Sequence, residues 1–110
     1  MNACVYILAS TFKSLYIGVT SDLEDRIEGH KTGRFPNSFT DRYKIHHLVY
    51  IEKFSDINIA IDREKQLKRW SRIKKLRLIV ATNPDWKDLS EEWGKPTEAF
   101  SGKLKPAIIF

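Results

Sequence analysis

The chain has 110 residues, enough for one domain with a modest core. Its 19 Lys+Arg against 14 Asp+Glu give a net charge of +5, yet Arg63–Arg77 holds eight bases and one acid, so the remainder is weakly acidic. Cys4 is the only cysteine, which excludes an intrachain disulfide, and no apolar run nears the ~20 residues of a membrane span. The opening Met1–Leu8 lacks the basic n-region and the apolar length of a signal peptide. These features predict a cytoplasmic protein with no membrane partner, whose basic surface attracts phosphates or other anions.

Residues 3–9 and 15–19 are short, apolar and rich in strand formers. The polar link Ser10–Ser14 is long enough for a hairpin, and a register centred on Thr11 sets Tyr6 opposite Tyr16. Ser21-Asp22-Leu23-Glu24 has the spacing of a capping box and starts a helix, with Gly33 as its stop signal. Leu23 and Ile27 form its apolar seam. Arg26 and His30, spaced i and i+4, flank that seam on one face, and Asp22, Glu24, Asp25 and Glu28 form a solvated side. Residues 34–45 read as a loop carrying aromatics and bases. A third strand spans 47–54.

Asp56 opens a long helix that breaks near Ser71, and a second basic helix runs to about Ala81. Asn83-Pro84-Asp85-Trp86 ends it, because Pro84 disfavours a helical Asn83. Beyond this, Pro96, Gly102 and Pro106 argue against regular elements, and the packing of the apolar terminus Ala107–Phe110 stays open. The fold class is α/β (α+β): a small, three-stranded, largely antiparallel sheet flanked by helices, in the order β-β-α-β-α-α. One domain covers 1–86, and 87–110 is an extension rather than a separate domain.

Glu64 breaks the pattern. At ~100° per residue, Ile57, Ala60, Ile61 and Leu67 form an apolar stripe, and Glu64 falls near its middle. A carboxylate there is costly unless paired, neutralised or bound to a metal; the plain alternative is an ion pair with Lys68. No Cys-x-x-Cys, His-Glu-x-x-His, phosphate-cradling glycine loop or Gly-x-Ser-x-Gly elbow is present. A tyrosine pair, an arginine, a histidine and this glutamate remain. Such a set suits phosphodiester hydrolysis. An arginine holds the charge that builds on phosphoryl oxygens, and one carboxylate can anchor Mg²⁺, which keeps several waters. A tyrosine or histidine helps remove a proton from the attacking water, although a phenol near pKa ~10 needs adjacent cations to depress it.

Cys4-Val5-Tyr6, Tyr16-Ile17-Gly18, Thr20-x-Asp22-Leu23-x-x-Arg26-x-x-x-His30 and Arg63-Glu64-Lys65-Gln66 form a linked set. It resembles the GIY-YIG endonuclease superfamily, in particular its short single-domain bacterial branch, the UPF0213 group similar to the nuclease part of the excision-repair protein UvrC. The likeness covers roughly residues 3–86. It departs at Cys4 and Val5, which stand where the family has glycine and isoleucine; strand geometry tolerates both.

The resemblance implies a nuclease dependent on one Mg²⁺ or Mn²⁺ ion, with Glu64 as the sole protein metal ligand and Arg26 stabilising the transition state. Tyr6 and Tyr16 line the site, Tyr6 being the better placed to activate water, and His30 accepts a proton. Gly18 and Asn83 support the site. Nucleic acid is the expected partner, DNA before RNA, with Lys68, Arg69 and Arg72 as phosphate contacts. Relatives often gain targeting from a second domain, so a targeting partner protein is a further expectation. Each residue also has a plain reading: Arg26 pairing with Asp22, His30 on the surface, Asn83 as a helix terminator, and Trp70, Trp86 and Trp93 in packing. His46 and His47 read as surface residues at the start of the third strand. For the whole chain the alternatives are an inactive nucleic-acid-binding module and a protein-interaction domain.

Overall fold

The computed structural model describes residues 2–32, 44–91, 93 and 108–109. In the first strand, β1 (Ala3–Ala9), Ala3, Val5, Ile7 and Ala9 join one apolar cluster while Tyr6 and Leu8 join another. A strand buried on both faces has to be internal. β2 (Leu15–Thr20) and β3 (His47–Phe54) accordingly pair with it on either side, both antiparallel. Helix α1 (Leu23–Thr32) covers the Tyr6/Leu8 face through Ile27. Helices α2 (Ile57–Arg69) and α3 (Arg72–Thr82) cover the other through Ala60, Leu67 and Ile79. This is the expected α+β order. Ile108–Ile109 adds a short strand, β4, parallel to β3, which makes the sheet order β2-β1-β3-β4. The prolines and glycine of the preceding stretch had argued against any such element.

The hairpin register corrects the expectation. Tyr6 pairs with Gly18 and Tyr16 with Leu8, so the turn centres on Phe12, not Thr11. Ser10 explains the turn, because its Oγ accepts from the N–H groups of both Phe12 and Ser14, each at 3.1 Å. The difference amounts to two residues on the partner strand, and side chains alternate with period two, so both tyrosines stay on one face. In β3 a bulge sets Tyr50 opposite Ile7 and Leu48 opposite Leu8, which leaves Val49 as the extra residue. Val49 and Tyr50 therefore both join the α2/α3 side.

Helix α1 is capped by Asp22 rather than Ser21: the Asp22 carboxylate accepts from Asp25 N at 3.2 Å. Its stop at Gly33 and the expected loop up to residue 43 lie outside the described residues. Asp56 caps α2 through Asn58 N at 2.8 Å, and Ser71 caps α3 through Lys74 N, so the long basic run breaks where expected.

The segment after α3 packs on the same body. Leu89 N donates to Leu48 O at 2.7 Å, and Asp88 accepts from Leu48 N and pairs with Lys31 of α1. Trp93 packs on the Tyr6 side and Trp70 and Trp86 on the other, which gives all three the packing contacts expected of them. Among the described residues no helix is long and apolar enough to cross a membrane.

Candidate active site

Three rings from three elements converge on the α1 face. Tyr6 comes from β1, Tyr16 from β2 and His30 from the last turn of α1. Their ring centroids lie 6.3 Å apart for Tyr6–Tyr16, 6.2 Å for Tyr6–His30 and 5.5 Å for Tyr16–His30. The Tyr6 hydroxyl sits 3.3 Å from His30 Nε2, and both residues are buried. The plain reading of His30 as a surface residue is thereby excluded.

Gly18 makes this possible. It faces Tyr6 across the hairpin, and a Cβ built on it would lie 2.4 Å from both Cζ and Oη of Tyr6. The ring therefore lies across the bare backbone of β2, the outermost strand on that side. Gly18→Ala is expected to push the ring away, cost about 1–3 kcal/mol as an overpacked site does, and separate the Tyr6 hydroxyl from His30. Thermal denaturation and the Tyr6 and His30 ring signals in NMR check it. An unshifted Tm with unshifted rings would show that the backbone yields instead.

Two charges act on this cluster from different helices. Burial pushes the Tyr6 phenol well above its usual range; Tyr16 and the Glu64 carboxylate push the same way, while Arg26 of α1 opposes them. The notion that neighbouring cations depress this phenol is therefore corrected, because desolvation outweighs the one arginine. His30 moves the other way. Burial, then Arg26, then His46 lower its pKa below the ordinary histidine value, so the imidazole is neutral at pH 7 and can accept from the protonated phenol. His46 is half-buried rather than a surface residue and belongs to this electrostatic group.

Glu64 also stands differently from its sequence reading. The fully buried positions of α2 are Ala60 and Leu67, with Ile61 only partly buried. On a helix Arg63 and Glu64 then lie on opposite flanks of that stripe, ~100° apart. The Glu64 side chain is 14% exposed and bonds Lys68 at 2.6 Å. It is a flank carboxylate already holding one cation, not a charge sunk in the core. Among the described residues no three His, Cys, Asp or Glu side chains gather into a metal cage. One carboxylate that already binds an ammonium suits Mg²⁺ or Mn²⁺ that keeps most of its waters, and does not suit a fully ligated structural ion.

Among the described residues the fully buried carboxylate is Glu52 of β3, which sequence reasoning misses. It accepts from Tyr50 Oη at 2.6 Å and from Arg63 Nε and Nη2 at 2.8 and 2.9 Å. Arg63 also donates to Gln66 and lies over the Trp70 ring. Tyr50 is pushed well above the usual phenol range, first by burial and then by this bond, and stays protonated as the donor. The available signal is the acid at the i+2 position from Tyr50, directly after the apolar run Leu48–Ile51.

Asn83 lies at the end of α3. Its Nδ2 donates to Val49 O and Lys87 O, and its Oδ1 accepts from Lys87 N. It fastens the chain after α3 to β3, with no bond to the ring cluster among these contacts. Of the predicted phosphate contacts, Lys68 pairs with Glu64, Arg72 donates to Lys13 O at 2.8 Å at the hairpin turn, and Arg69 is exposed.

The GIY-YIG catalytic domain matches residues 2–77, which makes this a domain of a nuclease-type family; the chain belongs to the GIY-YIG family. Among its relatives, a UPF0213 protein of Syntrophus aciditrophicus is 36% identical over 81 residues, covering 74% of this chain and 92% of that protein. A UPF0213 protein of Staphylococcus aureus is 39% identical over 75 residues, covering 68% and 90%. The solution NMR structure of the UPF0213 protein BH0048 from Bacillus halodurans is similar with a TM-score of 0.53 and 28% identity, covering 87% of this chain and 100% of that one.

Proposed function

We propose that the protein is a metal-dependent endonuclease that cuts a nucleic-acid phosphodiester bond, DNA in the first instance, with water as the nucleophile. The observation that carries this is the convergence at Gly18: Tyr6, Tyr16 and His30 in one cluster, with Arg26 and Glu64 both acting on the Tyr6 phenol. Glu64 would hold Mg²⁺ or Mn²⁺, which when bound neutralises charge on the phosphate and orients water. Arg26 offers two parallel donors to the phosphoryl oxygens as their charge grows. Tyr6 positions the attacking water and passes its own proton to neutral His30 as it takes one from the water, so the phenol never has to ionise in isolation. A buried, raised phenol acting alone would be a poor base at neutral pH, and this division of labour removes that difficulty. A partner protein would bring the site to its target. The test is cleavage of DNA in Mg²⁺, expected to stop on chelation and return when Mg²⁺ or Mn²⁺ is restored. Cleavage that persists in chelator would contradict it.

The direction of the His30 shift fixes the pH dependence. Its folded-state pKa lies below 6.5, so the acceptor form is retained through neutrality and lost only as pH falls through that lowered value. Cleavage should therefore hold to below pH 6.5 and then drop, and His30→Ala should lose both rate and this acidic limb. Stability should follow the same sign. Unfolded His30 binds a proton more readily than the folded residue, so acidification below 6.5 favours unfolding. A pH profile of kcat beside a pH series of Tm checks both; an acidic limb that survives in His30→Ala assigns it to another group.

A further inference from the structure

Beside the ring cluster lies an open groove of about 240 Å³ lined by Leu15, Tyr16, Ile17, Lys68 and Lys75. Two of its walls are shared with the site. Tyr16 belongs to the ring cluster, and Lys68 holds the Glu64 carboxylate at 2.6 Å while its side chain stays 54% exposed. Lys75 is half-buried and was not among the expected phosphate contacts. The groove runs along β2, the outer strand of the sheet, and α2 and α3 bring their ammonium groups to it from the basic run Arg63–Arg77. Two ammonium groups over an apolar wall suit a sugar-phosphate unit, because such point charges meet phosphate oxygens without reading a base edge.

We propose that this groove seats a backbone phosphate of the nucleic acid next to the bond that is cut, and that Lys68 is shared between that phosphate and Glu64. The inference rests on the nuclease reading above and extends it to the neighbouring nucleotide. In the structure Lys68 occupies the Glu64 carboxylate. A divalent ion at Glu64 competes with that ammonium, and the released Lys68 joins Lys75 at the phosphate, so metal loading and strand binding support each other.

Lys75→Met and Lys68→Met separate the two claims. Lys65→Met serves as a charge-matched control, since Lys65 is an exposed lysine of the same helix outside the groove lining. Affinity for a strand with a non-hydrolysable backbone is measured against salt with Mn²⁺ saturating, and Mn²⁺ affinity by electron paramagnetic resonance of the free ion without nucleic acid. Lys75→Met is expected to weaken nucleic-acid binding roughly 3- to 10-fold, to lower the salt slope by about one, and to leave Mn²⁺ affinity unchanged. Lys68→Met is expected to tighten Mn²⁺ roughly 3- to 10-fold, because a competing cation is gone, while nucleic-acid binding weakens. Groove variants that match Lys65→Met in slope and affinity would overturn the phosphate seat. Unchanged or weaker Mn²⁺ binding in Lys68→Met would overturn the sharing. A wild-type protein that binds neither Mn²⁺ nor nucleic acid would instead overturn the nuclease reading itself.

Discussion

Glu52→Ala is expected to lower stability by about 3–5 kcal/mol, with a fall in Tm of more than about 10 °C for a domain of this size. Glu52 is fully buried and takes three hydrogen bonds, two from Arg63 and one from Tyr50. Removing it strips the acceptor from a buried phenol and leaves a guanidinium whose side chain is only 20% exposed without its carboxylate. The loss should fall toward the lower end, since Arg63 keeps Gln66 and its stacking on Trp70. Replacing the pair together, Glu52→Leu with Arg63→Met, should recover much of the loss, because a buried ion pair is often worth no more than well-packed apolar groups. Chemical denaturation of the three proteins checks this. A Glu52→Ala protein within about 1 kcal/mol of wild type would show that water reaches the pair.

Glu64→Ala is expected to behave in the opposite way, with stability nearly unchanged and activity lost. What it removes from the fold is one i,i+4 ion pair to a half-exposed lysine, worth about 0.3–0.5 kcal/mol. What it removes from the site is the carboxylate proposed to hold the metal, whose electrostatic help amounts to several kcal/mol and so to a rate loss on the order of a thousandfold or more. Arg63 and Glu64 are adjacent in sequence yet serve different ends, because a helix turns them to opposite flanks of one buried stripe. Denaturation midpoints beside single-turnover rates would separate the roles. A large stability loss in Glu64→Ala would make that glutamate structural.

Much of this could be read in the sequence, for identifiable reasons. The strands, both long helices and the break at Ser71 follow from period-two and 3.6-residue patterning and from side chains able to cap. Tyr6 and Tyr16 were placed on one face despite a wrong register, since a two-residue shift leaves faces unchanged. The hairpin link Ser10–Ser14 is legible too, while its centre at Phe12 rests on two hydrogen bonds to Ser10 Oγ that the spacing alone does not show.

Glu64 breaks the pattern already in the sequence, but it sits less deep than the stripe implies, because Ile61 is only partly buried in the fold. Glu52 escapes the pattern because one acid in a strand reads as an outward position, whereas its pairing with Val5 turns it to the α2 side, where Arg63 meets it. The phenol shift on Tyr6 was not readable at all. Its sign depends on burial outweighing Arg26, and burial is a property of the assembled core.

The central claim is that Glu64 serves a metal-dependent cut rather than the fold. The most direct test is Mg²⁺-dependent DNA cleavage by purified wild-type and Glu64→Ala proteins with matched denaturation curves. Cleavage by the wild type, none above background by the variant, and superimposable unfolding are expected. Equal cleavage by the two proteins, or no cleavage by a folded wild type, would contradict it.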